Sequence, residues 1–369
     1  MKSQLCTFYK CIKPDVDDDV TKKRMNYYHI NTMKPFHFFS NNEIHISQTY
    51  ILKITNYFLY FAPIIKHSKV ILSEIDDIDF NTDYNHSSAN SSANSNTNSA
   101  SKILLTTSYY SNNITSFFQM FYNEDLDRKK NHRLVYIKNV IHSYKYLLNT
   151  IQIMNSIQLV HLNIIPNNIS FNAHKNPILS NFSNSFHLPQ MNEERISNLF
   201  KSYSLSINSN AFYTHPLEVY IISYLANTKS NSLSHINIEN ICNEFVKCSI
   251  TQLHILLEVS PEENFIQNYK ESCIFSLKQY INKPKTYIIN ELLKGCSTWD
   301  NYNLSMIYIM LLYNYKKEHE YVVNSKFINA FLQILIQNID PIATNRCSAE
   351  HTSELFDNAL QTIDSCEFV

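Results

Sequence analysis

The sequence predicts an α+β fold, with a small strand-rich N-terminal part and a larger, mainly helical C-terminal part. Three observations predict it. Runs of β-branched and aromatic residues at strand length, KVILSEI (69–75) and KILLTTSYY (102–110), fall before residue 112. The segment 132–158 repeats apolar residues at spacings of three and four, from Val135, Ile137 and Val140 through Tyr144, Leu147, Leu148 and Ile151. After residue 216 the pattern stays mostly helical. A chain of 369 residues is long enough for two modest cores.

Taken in order, residues 1–24 are polar, carry the acidic run DVDDD, and read as a loose arm. The aromatic-rich stretch 26–40 suits one or two strands. In NNEIHISQTYILKI, Asn41 or Asn42 is placed to cap a helix with Glu43 in its first turn, although Ile44, Ile46, Ile51 and Leu52 do not decide between helix and strand. Residues 81–101, rich in Asn and Ser, hold too little apolar surface to offset their ordering entropy and read as a disordered insertion in a hairpin connection. The N-terminal part then spans 25–112 and the helical part 113–369. The latter opens with a short helix in ITSFFQMFYNEDL and continues with the long one over 132–158. VHLNIIPNNISF (160–171) reads as a strand, His161, a turn through Pro166 and a second strand, and PILSNF closes a hairpin around NAHKN. Residues 184–214 are polar and irregular.

Composition narrows the function. A net charge of −1 gives no global field favouring nucleic acid or an anionic membrane, so neither is an expected partner. The eight cysteines form no CxxC pair and have no histidine at zinc-finger spacing, which points to free thiols in a reducing compartment. The N-terminus lacks an apolar signal core. The most apolar run, 50–65, is interrupted by Lys53 and Asn56 and falls short of the ~20 residues a span needs. A soluble cytoplasmic protein without a membrane span is expected. The chain holds a single glycine, Gly295, and its richness in Asn, Ile, Tyr and Lys matches AT-rich coding.

Five pieces stand in a telling order: VHLNIIPNNISF, PILSNFSNSF (177–186), YTHPLEVY (213–220), STWDNYNLSMIYIMLLY (297–313) and NIDPIATNRCSAEHTSELF (338–356). Their series resembles the eukaryotic-type protein kinases over roughly residues 26–358, and is similar to the divergent kinase-like proteins of large DNA viruses. The resemblance implies a two-lobed kinase-like fold. Of the kinase loop H-R-D-x-K-x-x-N, His161 and Asn168 match. The catalytic Asp position holds Asn163, the Lys position Ile165, and the Arg position Leu162. The metal-binding D-F-G reads Asn181, Phe182, Ser183, and a neutral amide is a weak partner for a hard dication. With one glycine, in the helical part, the glycine-rich phosphate loop is absent. If Glu43 takes the place of the kinase helix Glu that pairs with the ATP-binding strand lysine, the strand before it reads YYHINT and holds no such lysine. Lys34, nine positions before Glu43, is a candidate, and Glu43 reads equally as a helix-start charge.

The positions the resemblance makes structural are kept. Asp300 matches the central-helix Asp that accepts hydrogen bonds from the backbone of the His161 turn. Glu218 and Arg346 match the pair that ties the activation segment to the C-terminal helices. Without the motif, His161 is a satisfied core histidine, Trp299 is core, and Glu218 and Arg346 are ordinary charges. The loss of charge at 162, 163, 165 and 181, beside the retained Asp300, Glu218 and Arg346, implies a pseudokinase that serves as a binding, scaffold or regulatory module for a protein partner, with no cofactor expected. The alternative is a weakly active or unconventional protein kinase using ATP with Mg²⁺ or Mn²⁺. A third reading is a helical interaction protein whose motif matches arise by chance.

Overall fold

The computed structural model describes residues 7–8, 28–35, 38–70, 102–109, 115–121, 132–201, 203, 214–251, 253, 264–318 and 326–361. Most of the expected acidic arm and the whole Asn/Ser-rich insertion lie outside the described residues. The architecture is α+β.

An antiparallel sheet in the order β1-β2-β5-β4 contains β1 (Thr7–Phe8), β2 (Tyr28–Pro35), β4 (Ile64–Val70) and β5 (Lys102–Tyr109). β2 and β5 pair along their full length, from Tyr28 opposite Tyr109 to Pro35 opposite Lys102. β4 runs along the other side of β5, with an irregularity between Ile64 and Lys66. Three sequence expectations shift here. The strand before Glu43 extends to Pro35, so it does include Lys34. The expected strand over 69–75 begins earlier, at Ile64, and its residues 71–75 lie outside the described set. Helix α1 spans Phe38–Thr49, so Asn41 and Asn42 sit inside it and do not cap it.

The sequence left α1 undecided because its inward face is largely polar: Ser40, Asn42, Glu43 and Ser47 are buried beside Ile44 and Ile46. Polar side chains cannot supply a hydrophobic period, and only tertiary partners make their burial tolerable. Ser47 Oγ accepts from the Ile64 amide at 3.0 Å, tying the helix to the start of β4. Ile44 packs with Ile64 and Leu105 in a small core of its own, while Ile46 belongs to the main core.

A second sheet, β3-β9-β8-β6, contains β3 (Phe61–Ala62), β6 (Thr115–Ser116), β8 (Ile169–Phe171) and β9 (Pro177–Ser180). The β8–β9 hairpin is the one expected around NAHKN. Asn172 Oδ1 accepts the amides of His174 and Asn176, both at 3.0 Å, which closes the turn. β7 (Leu159–Val160) pairs with β10 (Phe186–His187). The short helix α2 covers Phe117–Phe121.

The long helix α3 spans His132–Ser156, two residues short of the expected range. It buries Tyr136, Val140, Tyr144, Leu147, Ile151 and Met154 on one stripe. The stretch 184–214, expected to be irregular, contains β10 and helix α4 (Glu193–Phe200), whose Asn192 cap accepts the Arg195 amide. Next come α5 (Leu217–Asn227), α6 (His235–Phe245), a π-turn at Val246–Ile250, α7 (Phe265–Lys278), α8 (Lys285–Leu293), α9 (Trp299–Glu318), α10 (Lys326–Asn338) and α11 (Ala349–Leu360).

α9 is the central helix: every residue from Trp299 to Ile309 is buried. Its ring neighbours lock it to α3, α10 and α11. Tyr144 packs against Tyr308, Phe331 and Phe356 with centroids at 4.9, 4.7 and 4.9 Å. Several of its buried polar groups are paired, as with the Asn301 amide nitrogen to Thr352 Oγ1 at 2.8 Å and the Tyr308 hydroxyl to Ser143 Oγ at 2.6 Å. Cys242, Cys248, Cys273, Cys296 and Cys347 are buried free thiols, as expected; the other three cysteines lie outside the described residues. Among the described residues no helix is long and apolar enough to cross a membrane.

Candidate functional site

The segment His161–Asn168 leaves β7 and returns through a single 3-10 turn, Pro166–Asn168, into β8. Its backbone is anchored by α9. Asp300, 1% exposed, accepts the His161 amide on Oδ2 at 2.7 Å and the Leu162 amide on Oδ1 at 2.9 Å. Burial dominates the Asp300 carboxyl and pushes its pKa up to about 6, against the pull of the two amides. Leu162 sits at φ 58°, the left-handed region that a branched side chain enters at a cost of about 1–2 kcal/mol. The charged acceptor fixes that conformation.

His161 is fully buried, and both ring nitrogens are engaged. Nε2 donates to the Ser180 carbonyl at 3.1 Å, and Nδ1 accepts the Asn163 amide at 3.2 Å. Those partners fix one neutral tautomer. Burial lowers its pKa to about 4. Its ring stands edge-on to Phe182 at 5.1 Å. His161 is therefore a core histidine that holds β9 against the turn, with no free nitrogen for a proton or a metal.

The amides form a chain across the site. Asn168 Nδ2 donates to the Asn163 carbonyl at 2.8 Å. Asn181 Nδ2 donates to Asn168 Oδ1 at 3.0 Å. Ser183 Oγ contacts Asn181 Oδ1 at 2.8 Å and Asn184 Oδ1 at 3.0 Å. Asn184 Nδ2 donates to the Tyr203 hydroxyl, which reaches back to the Leu162 carbonyl at 3.3 Å. Asn181 is left-handed, at φ 65° and ψ 71°, a region its short amide tolerates better than most side chains. Asn42 of α1 donates both amide hydrogens, to the Ser183 and Ser185 carbonyls, each at 2.8 Å. The side chain of Asn163 makes no hydrogen bond to a described residue, and Ile165, half-buried, adds only hydrocarbon.

Chemically, this chain is neutral and satisfied from within. A carboxylate at 181 would face the Asn168 oxygen and call for a cation between them; the amide there bonds Asn168 directly instead. Apart from the Asp300 carboxylate, which the two amides of the His161 turn occupy, the oxygens of this chain belong to amides, hydroxyls and the backbone. Among the described residues no group of three or more His, Cys, Asp or Glu side chains converges. Within the amide chain a hard cation would meet only neutral oxygens and would have to break the Asn168–Asn181 bond, so these amides do not make a magnesium-bound triphosphate site of the usual kind.

Glu218 and Arg346 meet at 2.9 Å with side chains 7% and 0% exposed. Arg346 also donates Nε to the Asp340 carbonyl at 2.7 Å and lies 5.1 Å over the Tyr302 ring. Gly295 closes around the pair: a Cβ there would lie 2.9 Å from Ala343 Cβ and 3.7 Å from Glu218 Oε1. The residues singled out from sequence thus fall into two groups. His161, Asn163, Asn168, Asn181 and Asp300 share one network, and Glu218 and Arg346 form a separate buried pair. Glu43 is buried on α1, and the side chain of Lys34 lies outside the described set. Asn42, Asn184, Ser185 and Tyr203 were not found from sequence; in an Asn-rich chain nothing marks these amides as bonded. No protein-family model matches the chain, and no curated protein matches it.

Proposed function

We propose that this chain is a protein-kinase-like protein that no longer transfers phosphoryl groups and acts as a binding or scaffold module for a protein partner. The observation that carries the reading is the Asn168–Asn181 side-chain bond, which ties the two metal-ligand positions of the resemblance to each other. Supporting it, Asp300 receives the two amides of the His161 turn, and Glu218 pairs with Arg346, as the motif alignment implies. The order β2-β5-β4 with α1 between β2 and β4, and the separate small core of Ile44, Ile64 and Leu105, are what a small first lobe would need. The absent general base at Asn163 alone removes a term worth about 10²–10⁴ in rate.

The test is thermal unfolding with millimolar ATP, with and without Mg²⁺ or Mn²⁺. No metal-dependent shift is expected. A rise of about 2 °C or more that requires the metal, or peptide phosphorylation abolished by Asn168→Ala, would refute the proposal.

A further inference from the structure

Away from the amide chain, a cavity of about 280 Å³ opens between α5, α6 and Tyr203. Three phenol side chains line it, Tyr203, Tyr220 and Tyr224, together with Ile241. The walls are held from behind. Tyr220 is 3% exposed and packs on Phe245 at 5.7 Å, and Tyr203 packs on His215 at 4.8 Å. Much of the polar lining is already spent: Asn227 donates to the Ser223 carbonyl at 3.0 Å and to the Lys201 carbonyl at 3.1 Å.

Two of the unspent lining groups bear on what the cavity takes. Thr228 Oγ1 is buried with no hydrogen-bond partner. Glu244, half-buried at the cavity, makes no ion pair or hydrogen bond with any described residue. Lys247, in the π-turn that follows α6, makes no ion pair with it. The described lining therefore carries one carboxylate and no basic side chain. A ring-lined cavity with an unpaired anion is complementary to an organic cation, since the π faces and the carboxylate act in the same sense. The space is too large for an ammonium head alone and takes a planar guanidinium with its methylenes. Guanidinium is also weakly hydrated and stacks on phenol faces, so it loses less than an ammonium on entry.

We propose that this cavity binds the arginine side chain of a partner polypeptide, with Glu244 accepting from the guanidinium and Tyr203, Tyr220 and Tyr224 enclosing it. The site shares the Tyr203 ring with the far end of the amide chain, but its carboxylate and its remaining walls lie on α5 and α6, so its test does not depend on nucleotide binding. The experiment titrates the full-length protein, carrying ¹³C-labelled tyrosine rings, with three probes followed by NMR. They are the pentapeptide Ac-Ala-Ala-Arg-Ala-Ala-NH₂, the same peptide with citrulline in place of arginine, and N-acetyl-arginine amide. Saturable shifts of the lining tyrosines are expected, with the arginine peptide binding about tenfold or more tighter than the citrulline peptide. Glu244→Gln should weaken the arginine peptide by a similar factor with an unchanged melting temperature, because its carboxylate has no partner to lose among the described residues. Tyr224→Leu, on the half-buried wall, should also weaken it. Equal binding of arginine and citrulline peptides, or an unchanged affinity in Glu244→Gln, would overturn the site. Equal affinity for the single residue and the pentapeptide would overturn the polypeptide as the source of the cation.

Discussion

Asp300→Ala is the most direct perturbation of the site's scaffold. It removes a charged acceptor from two buried amides, those of His161 and Leu162, at 2.7 and 2.9 Å. Each amide left without a partner costs about 1–3 kcal/mol. Two terms work the other way. The deletion relieves a carboxylate whose pKa burial raises to about 6, and it lets Leu162 relax from φ 58°, recovering up to about 1–2 kcal/mol. The balance is a loss of about 2–4 kcal/mol. Asp300→Asn keeps one acceptor but turns an NH₂ toward the other amide, so it should lose about half as much. Urea unfolding followed by circular dichroism gives the free energies, and amide hydrogen exchange at 161 and 162 localises the effect. A loss below about 1 kcal/mol for Asp300→Ala, or unchanged exchange at these two amides, would refute the anchoring role.

Three further outcomes are expected. Glu218→Ala leaves the Arg346 guanidinium buried with its strongest partner gone and should cost about 3–5 kcal/mol, whereas the double change Glu218→Leu with Arg346→Met should cost much less; a thermodynamic cycle from urea melts checks it. Gly295→Ala drives a methyl to 2.9 Å from Ala343 Cβ and should destabilise by about 1–3 kcal/mol. Ala343→Gly in the same chain should recover much of that loss, and an additive pair in the same melts would count against the clash. The pH dependence follows from three buried groups. Burial lowers His161 and His215 from 6.5 to about 4, so the unfolded chain protonates first and their contribution, full above pH 6.5, is lost as pH falls toward 4. Asp300, raised from 3.8 to about 6, works in the opposite sense, because the native state takes up its proton first on acidification. Two histidines outweigh one carboxyl, so stability should fall from pH 6.5 to 4, less steeply in His161→Gln and more steeply in Asp300→Asn; free energies from urea melts at each pH decide it.

Sequence alone determined the elements whose chemistry is local. The apolar period of α3, the β8–β9 turn with its Asn172 side chain, and the β-branched run of β5 each state their form within a few residues, because backbone hydrogen bonding and a one-sided apolar face suffice to specify them. The pairing of Asp300 with the His161 turn and of Glu218 with Arg346 came from the resemblance and not from any local pattern, since taken singly these charges name no partner. Tertiary structure decided the rest. α1 was undecided because its buried face is built from Asn42, Glu43 and Ser47, whose partners lie far along the chain. The link from Asn181 to Asn168 was equally hidden: an amide can donate or accept toward almost any neighbour, so its identity fixes no partner until the fold brings one within 3.0 Å.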